Sequence, residues 1–406
     1  MPRPHHALVG AFALAWGAVL LLRPDEGLIE PDPVDVQDYF STDDIVRSRR
    51  FGYPQLALQF AGAALQGAAL LLCVRRCRQP KAARASAPTL QAAVGGAGLT
   101  LALNLAPLPM RALARRRALA VGLATQSWRG WALDVAKGLA IDSALNGGVA
   151  VAAVTLMRRY PRCWWLLGAL GSTAGAVVFT FLAPVVLDPI FNRFTVLPDG
   201  PVRGDILELS QRSGVRVGEV YRVDASRRTT AANAYVTGLG ATKRVVLFDT
   251  LLESFTREET RLVVAHELGH VRHRDVARHL AHVALSAPGA MYASSVLLAA
   301  LGHDPARVPV SARVLPALAL SVGVASAVTG STFGALSRRV ESRADAFSLR
   351  LTGEAQPFIA FEQRIVKQNL ADPDPPRWLV RVFASHPPAV ERIGIARAYA
   401  RGQRRS

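Results

Sequence analysis

Long apolar stretches alternate with short polar segments over most of this chain. Seven stretches can cross a bilayer as helices, because a hydrocarbon core of about 30 Å needs about 20 consecutive apolar residues. They are residues 7–22, 54–74, 88–108, 139–157, 163–187, 281–302 and 314–336. The first could instead be a signal peptide, but no small-residue cleavage site follows it, so we expect a retained helix. The pattern predicts a mainly α-helical, polytopic membrane protein with about seven transmembrane helices.

Two parts of the chain lack this membrane pattern. Residues 188–275 are of mixed polarity and contain short β-branched runs at 217–223 and 244–248, which predict a small β-sheet. Residues 337–406 form a basic tail that begins as a continuation of the last apolar helix. The predicted organisation is therefore a membrane region of about five spans (1–187), the mixed segment (188–275), a two-span hairpin (276–336) and the tail (337–406).

The composition excludes several classes of protein. Of the 406 residues, 50% are hydrophobic and only 19% are charged, so neither an ordinary cytosolic enzyme nor a disordered chain fits. The net charge is +18, but the basic residues flank apolar runs, which favours contact with anionic lipid over nucleic-acid binding. Basic clusters follow the second and third spans, on opposite faces, so charge alone does not orient the chain. Arg far outnumbers Lys, which suggests a bacterial source and a bacterial cell membrane.

A metal-binding motif lies in the mixed segment. His266, Glu267 and His270 form H-E-x-x-H, and Thr256 with Glu259 forms a capping box that would start a helix ahead of it. One helical turn separates the two histidines, so both imidazoles can reach one cation. Zn²⁺ would lower the pKa of a bound water to about 7, and Glu267 would act as general base. The alternative is a charged helix whose histidines are merely solvated.

The third metal ligand must come from outside the motif. The extended pattern H-E-x-x-H-x-x-G-x-x-H fails, because His273 and Val276 occupy its Gly and last His positions. Glu341, at the junction of the last span and the tail, is the strongest candidate. Asp345 follows one turn later and is placed to hydrogen-bond a ligating histidine. The alternative is an ordinary salt bridge to a neighbouring arginine.

These residues resemble a known family. The motif, together with Glu341-x-x-x-Asp345, resembles the integral-membrane zinc metalloendopeptidases that include the CAAX prenyl protease of the a-factor-processing type. Further segments similar to that family are residues 188–194, Asn233-Ala234-Tyr235, residues 243–252, Ser385-His386-Pro387-Pro388 and Glu391-Arg392.

The resemblance implies a seven-helix enclosure around a chamber and a gluzincin-like protease domain that holds one Zn²⁺ per chain and faces the cytoplasm. Asn233, Ala234 and Tyr235 would bind an extended substrate by strand addition. His386 would donate a hydrogen bond to the developing oxyanion, and Arg392 would steady that region. From the residues alone, Asn233 could equally be a turn residue and His386 a solvated histidine.

The expected substrate is a peptide or a lipidated protein tail, processed at the lipid bilayer. A related alternative is a membrane-protein quality-control protease of the heat-shock type, although those are shorter and usually have about four spans. A transporter or receptor with a vestigial motif, or a structural scaffold, is a third interpretation. The complete set of motif residues and Glu341 argues against that third interpretation.

Overall fold

The computed structural model describes residues 3–77, 87–238 and 243–404. Its first half consists of long helices: α1 (Pro4–Leu22), α2 (Thr42–Cys77), α3 (Pro88–Leu105), α4 (Leu108–Ala120), α5 (Trp128–Arg159) and α6 (Trp164–Val186). Among the described residues, six helices are long and apolar enough to span a membrane. The bent pair α3 and α4 would together form a seventh span. The prediction of a helical protein with about seven spans is confirmed.

The third predicted stretch is not a straight helix. It breaks after α3, and α4 continues at an angle of 43°. Pro107 precedes α4 directly, and its ring prevents a regular helix from running through this point. Small residues allow α3 to lie close to α5: a Cβ on Gly96 would stand 2.9 Å from the Asn146 carbonyl oxygen. Such close approach is how helices associate without a hydrophobic driving force.

The chain then enters the mixed segment through a short helix, α7 (Asp188–Phe191), and β1 (Phe194–Val196). Helix α8 (Pro201–Ser213), β2 (Glu219–Val223), β3 (Ala234–Thr237) and β4 (Arg244–Phe248) follow. The four strands form one sheet in the order β1-β2-β4-β3, so β3 lies at an edge. Strands β2 and β4 are parallel, whereas β1 and β3 are antiparallel to their neighbours. The two predicted strand regions are confirmed as β2 and β4.

The remaining helices join the sheet to the membrane region. They are α9 (Asp249–Ser254), α10 (Arg257–Arg272), α11 (Asp275–Ala300), α12 (Leu315–Thr352), α13 (Ala355–Asn369), α14 (Arg377–Phe383) and α15 (Ala389–Gln403). Helix α12 has 38 residues, a length of about 57 Å at 1.5 Å per residue. It therefore spans the bilayer and continues beside the sheet, where it packs against α10. Residues 337–352 are the C-terminal part of α12, so the tail begins as a continuation of the last apolar helix.

Candidate metal centre

Helix α10 positions the motif, and both of its local signals are present. Thr256 Oγ1 accepts a hydrogen bond from the Glu259 backbone N–H at 3.2 Å, and Glu259 Oε2 accepts one from the Thr256 backbone N–H at 2.8 Å. This capping box fixes where the helix begins. Val264 and Leu268 are completely buried in the apolar core that α10 shares with the sheet. The imidazoles of His266 and His270 consequently project from the opposite side of α10.

Three donor atoms converge beside α10. His266 Nε2 lies 3.1 Å from His270 Nε2 and 3.2 Å from Glu341 Oε2, and His270 Nε2 lies 3.6 Å from the same oxygen. Zinc at about 2.05 Å from each donor in tetrahedral geometry would place the donors about 3.3 Å apart. The three atoms therefore fit a zinc ion that has one coordination position left open. Glu341 is brought to this point by α12, as the sequence predicts.

A carboxylate contacts the Nδ1 atom of each imidazole, on the side of the ring away from Nε2. Asp345 Oδ1 lies 2.8 Å from His266 Nδ1, and Asp275 Oδ2 lies 3.0 Å from His270 Nδ1. Because Nδ1 is engaged in this way, Nε2 of each ring is left for the metal. Burial alone would lower the pKa of both histidines, whereas these carboxylates and Glu341 raise the pKa of each ring, so a cation at this site competes with a proton for Nε2.

Asp275 is a residue that the sequence analysis missed. It is the first residue of α11, and the chain reaches it through Arg274, whose φ of 56° lies in the left-handed region. That turn brings α11 back toward α10 and places Asp275 next to His270. Asp275 lies five residues after His270, but this spacing alone does not predict that the two side chains touch, because the contact depends on the turn at Arg274.

A buried arginine connects Asp345 to a second carboxylate. Arg392 Nε and Nη2 donate to Asp345 at 2.8 and 2.6 Å, and Nη1 lies 2.6 Å from Glu362 Oε1. Burial alone would lower the pKa of Arg392, but the two carboxylates raise it, so the guanidinium stays charged. The structure thus places Arg392 behind the His266–Asp345 pair. Glu362, on α13, was not identified from the sequence.

A cavity of about 280 Å³ is lined by His266, one of the three donor residues. Glu267 and Asn233 line it together with His386, whose Nε2 is 3.3 Å from Glu341 Oε2. Burial raises the pKa of Glu267 against the opposing effect of the two imidazoles, which strengthens this carboxylate as a base. The side chain of His386 is 60% exposed, so it can reach a substrate in the cavity. Predicted residues from three separate parts of the chain therefore meet at one cavity.

The chain borders this cavity just before the edge strand β3, through Ala232 and Asn233. Phe248 N–H donates to the Asn233 carbonyl oxygen at 3.0 Å, so Asn233 pairs with β4. Since inward and outward hydrogen-bonding groups alternate in an antiparallel strand, the backbone groups of Ala234 and Val236 point to the free edge. The Tyr235 hydroxyl instead donates to Asp188 at 3.3 Å and lines a different cavity. The structure does not bring that side chain to the donor atoms.

Comparisons with known proteins agree with this geometry. The sequence profile described as Peptidase family M48 matches residues 197–400, and the profile described as "CAAX prenyl protease N-terminal, five membrane helices" matches residues 119–193. The chain is 31% identical over 303 residues to an uncharacterized metalloprotease, YhfN, of Bacillus subtilis, covering 73% of this chain and 70% of that protein. It is 34% identical over 143 residues to CAAX prenyl protease 1 of Saccharomyces cerevisiae, covering 34% of this chain and 31% of the yeast protein.

A solved structure has a similar fold. The crystal structure of Ste24p from S. mikatae matches with a TM-score of 0.75 at 19% identity, over 98% of this chain and 99% of that one. The match covers the membrane helices as well as the segment that carries the donor atoms.

Proposed function

This chain belongs to peptidase family M48, and from that premise we propose that its site is a zinc endopeptidase centre with Glu267 as general base. The chain is a multi-pass membrane metalloprotease. The observation that carries the proposal is the triangle of donor atoms formed by His266, His270 and Glu341, with a second carboxylate beside it.

His266, His270 and Glu341 would hold the metal. When bound, zinc lowers the pKa of water and polarises the scissile carbonyl. Glu267 removes a proton from the attacking water and delivers it to the leaving amine. His386, whose Nε2 lies 3.3 Å from Glu341 Oε2, donates an N–H to the oxygen on which negative charge develops. Asp345, backed by Arg392, keeps the His266 ring in the orientation that directs Nε2 to the metal.

The substrate is a peptide or a lipidated protein tail. An extended peptide can add to the free edge of β3, where the backbone groups of Ala234 and Val236 would supply its register. The relatives named CAAX prenyl protease and the count of up to seven spans support this branch over a shorter quality-control protease. The Bacillus subtilis relative supports a bacterial cell membrane, with the centre on the cytoplasmic side. The spacing of the donor atoms argues against a transporter or scaffold with a vestigial motif.

Substitution Glu267→Gln tests the assignment of the base. We expect cleavage of a peptide by the full-length protein in liposomes to fall by about 10² to 10⁴-fold, while one zinc per chain is retained. Peptides with and without a prenyl group would show which substrate class is preferred. Glu253→Gln, at a carboxylate whose side chain is 59% exposed on α9, is the matched control and keeps full activity. Full cleavage by Glu267→Gln would disprove the role of this residue.

A further inference from the structure

A groove with a volume of about 650 Å³ opens between α2 and α4, outside the metal centre. Its apolar walls include Leu58 and Ala61 from α2 and Leu113 from α4. Two arginines of α4, Arg116 and Arg117, also line it. Each helix contributes residues spaced three and four apart, so one continuous face of each helix borders the groove. The groove therefore has mostly apolar walls, with two arginines of α4 forming one basic part.

The packing of the two helices shows where the basic part lies. They run antiparallel: Gln55 donates to the Ala114 carbonyl at 3.0 Å, and Arg117 donates to the Arg50 carbonyl at 3.1 Å. The apolar stretch of α2 begins at Pro54. The arginines consequently lie where α2 changes from polar to apolar, and the walls formed by Leu58 and Ala61 continue into the apolar part.

Neighbouring aromatic residues mark the same level. Arg115 stacks over the rings of Trp128 and Trp131, at 5.4 and 5.6 Å from their centroids. Tryptophan is enriched where a membrane protein meets the interface between hydrocarbon and water. The basic part of the groove is thus placed at the depth of lipid headgroups.

The charge in the groove is not neutralised by the protein. Within the described ranges, no carboxylate comes within ion-pair distance of Arg116 or Arg117. The Nε atom of Arg117 is buried and has no acceptor among the described residues. Arg116 is exposed, so an external anion can reach its guanidinium and neutralise this charge through charge-assisted hydrogen bonds.

We propose that this groove binds an anionic phospholipid of the surrounding bilayer. Arg116 and Arg117 hold its phosphate, and an acyl chain lies along Leu58, Ala61 and Leu113. This occupant combines a phosphate with a long apolar chain, and both parts match the groove at the depth where the bilayer presents them. The binding site is independent of proteolysis and of the metal.

Native mass spectrometry of the full-length protein tests the proposal, with phosphatidylglycerol, phosphatidylcholine and inorganic phosphate offered separately. We expect retention of phosphatidylglycerol in preference to the other two. The double substitution Arg116→Gln/Arg117→Gln should weaken that retention by about thirtyfold. The matched control is Arg158→Gln/Arg159→Gln, an exposed arginine pair at the end of α5. It removes the same charge and should leave retention unchanged.

A second variant probes the apolar part without altering charge. Ala57 is exposed and lines the groove, so Ala57→Trp would fill it while both arginines remain. We expect this variant to fold, to keep its metal and to lose phosphatidylglycerol retention. Equal retention of phosphatidylglycerol and phosphatidylcholine by the wild type would overturn the proposal. Equal loss in the two arginine double variants, or retention of phosphatidylglycerol by Ala57→Trp, would also overturn it.

Discussion

Helices α6 and α12 are both apolar enough to span a membrane, yet they occupy opposite kinds of environment. In the most apolar window of the span that contains α12, 44% of the residues are buried within the protein, whereas the corresponding share for α6 is 0%. Helix α12 packs against α1, α10 and α11, and it carries Glu341 and Asp345 into the metal centre. Helix α6 exposes most of its apolar side chains. Apolarity therefore does not distinguish the two helices: exposure leaves the surface of α6 to lipid, whereas burial allows α12 to position the centre.

The largest effect should come from Glu341, the carboxylate that α12 would contribute to the metal. Glu341→Ala removes one of three donors, so we expect zinc affinity to fall by more than the roughly 100-fold that loss of an outer partner causes. Zinc per chain, measured after dialysis, should drop from one to near zero. Glu253→Ala, at an exposed carboxylate on α9, is the control. Unchanged zinc content in Glu341→Ala would remove this residue from the ligand set.

The next effect should come from Asp345, which touches the ring of His266 and not the metal. Asp345→Asn weakens the hydrogen bond to His266 Nδ1 and removes one of the two negative charges that pair with Arg392. Zinc affinity should therefore fall by about 10 to 100-fold. Competition with a chelator measures it. Asp304→Asn is the control, because Asp304 is also ion-paired, to Arg307, but lies beyond the other end of α11. Equal zinc affinity in the two variants would contradict the role of Asp345.

The same substitution, Ala→Leu, made once in each helix tests most directly whether α12 is packed more tightly than α6. Ala325 on α12 is completely buried among small residues of α1 and α11, whereas Ala174 on α6 is exposed. Ala325→Leu should lower the free energy of unfolding by about 1–3 kcal/mol because the packed site cannot expand freely. Ala174→Leu should change it by less than about 0.5 kcal/mol. Thermal unfolding in detergent micelles measures both, and equal shifts would show that α12 is not packed more tightly than α6.

The smallest effect should come from the free edge of β3, where an extended peptide would bind. Val236→Pro removes a backbone N–H that points to the free edge, a position where proline is tolerated in a sheet. The loss of one hydrogen bond to a peptide should raise KM by about 3 to 10-fold with zinc content unchanged. Val236→Ala keeps the N–H and serves as the control. A KM for Val236→Pro equal to that of Val236→Ala would exclude strand addition at this edge.

Local patterns predicted much of this architecture. The apolar stretches identified the membrane helices, and the capping box and motif identified α10, because both signals depend on residues within a few turns of each other. Helix α4 was missed, since the apolar stretch ends at residue 108 and the basic residues that follow gave no helix signal of their own. Asp275 and Glu362 were missed because each meets its partner through a turn or a helix packing that no spacing reveals.

The sequence by itself determined which helices are apolar enough to enter the membrane and that His266 and His270 share one face of a helix. Both properties follow from the fixed geometry of the α-helix. The sequence named Glu341 as a candidate, but the packing of the helices is what brings its carboxylate to His266, 75 residues earlier, and places Arg392 and Glu362 behind that pair. Those contacts arise from the packing of α12, α13 and α15 around α10, and packing is set by the complementary shapes of whole helix faces. Periodicity along the chain carries no record of which faces meet.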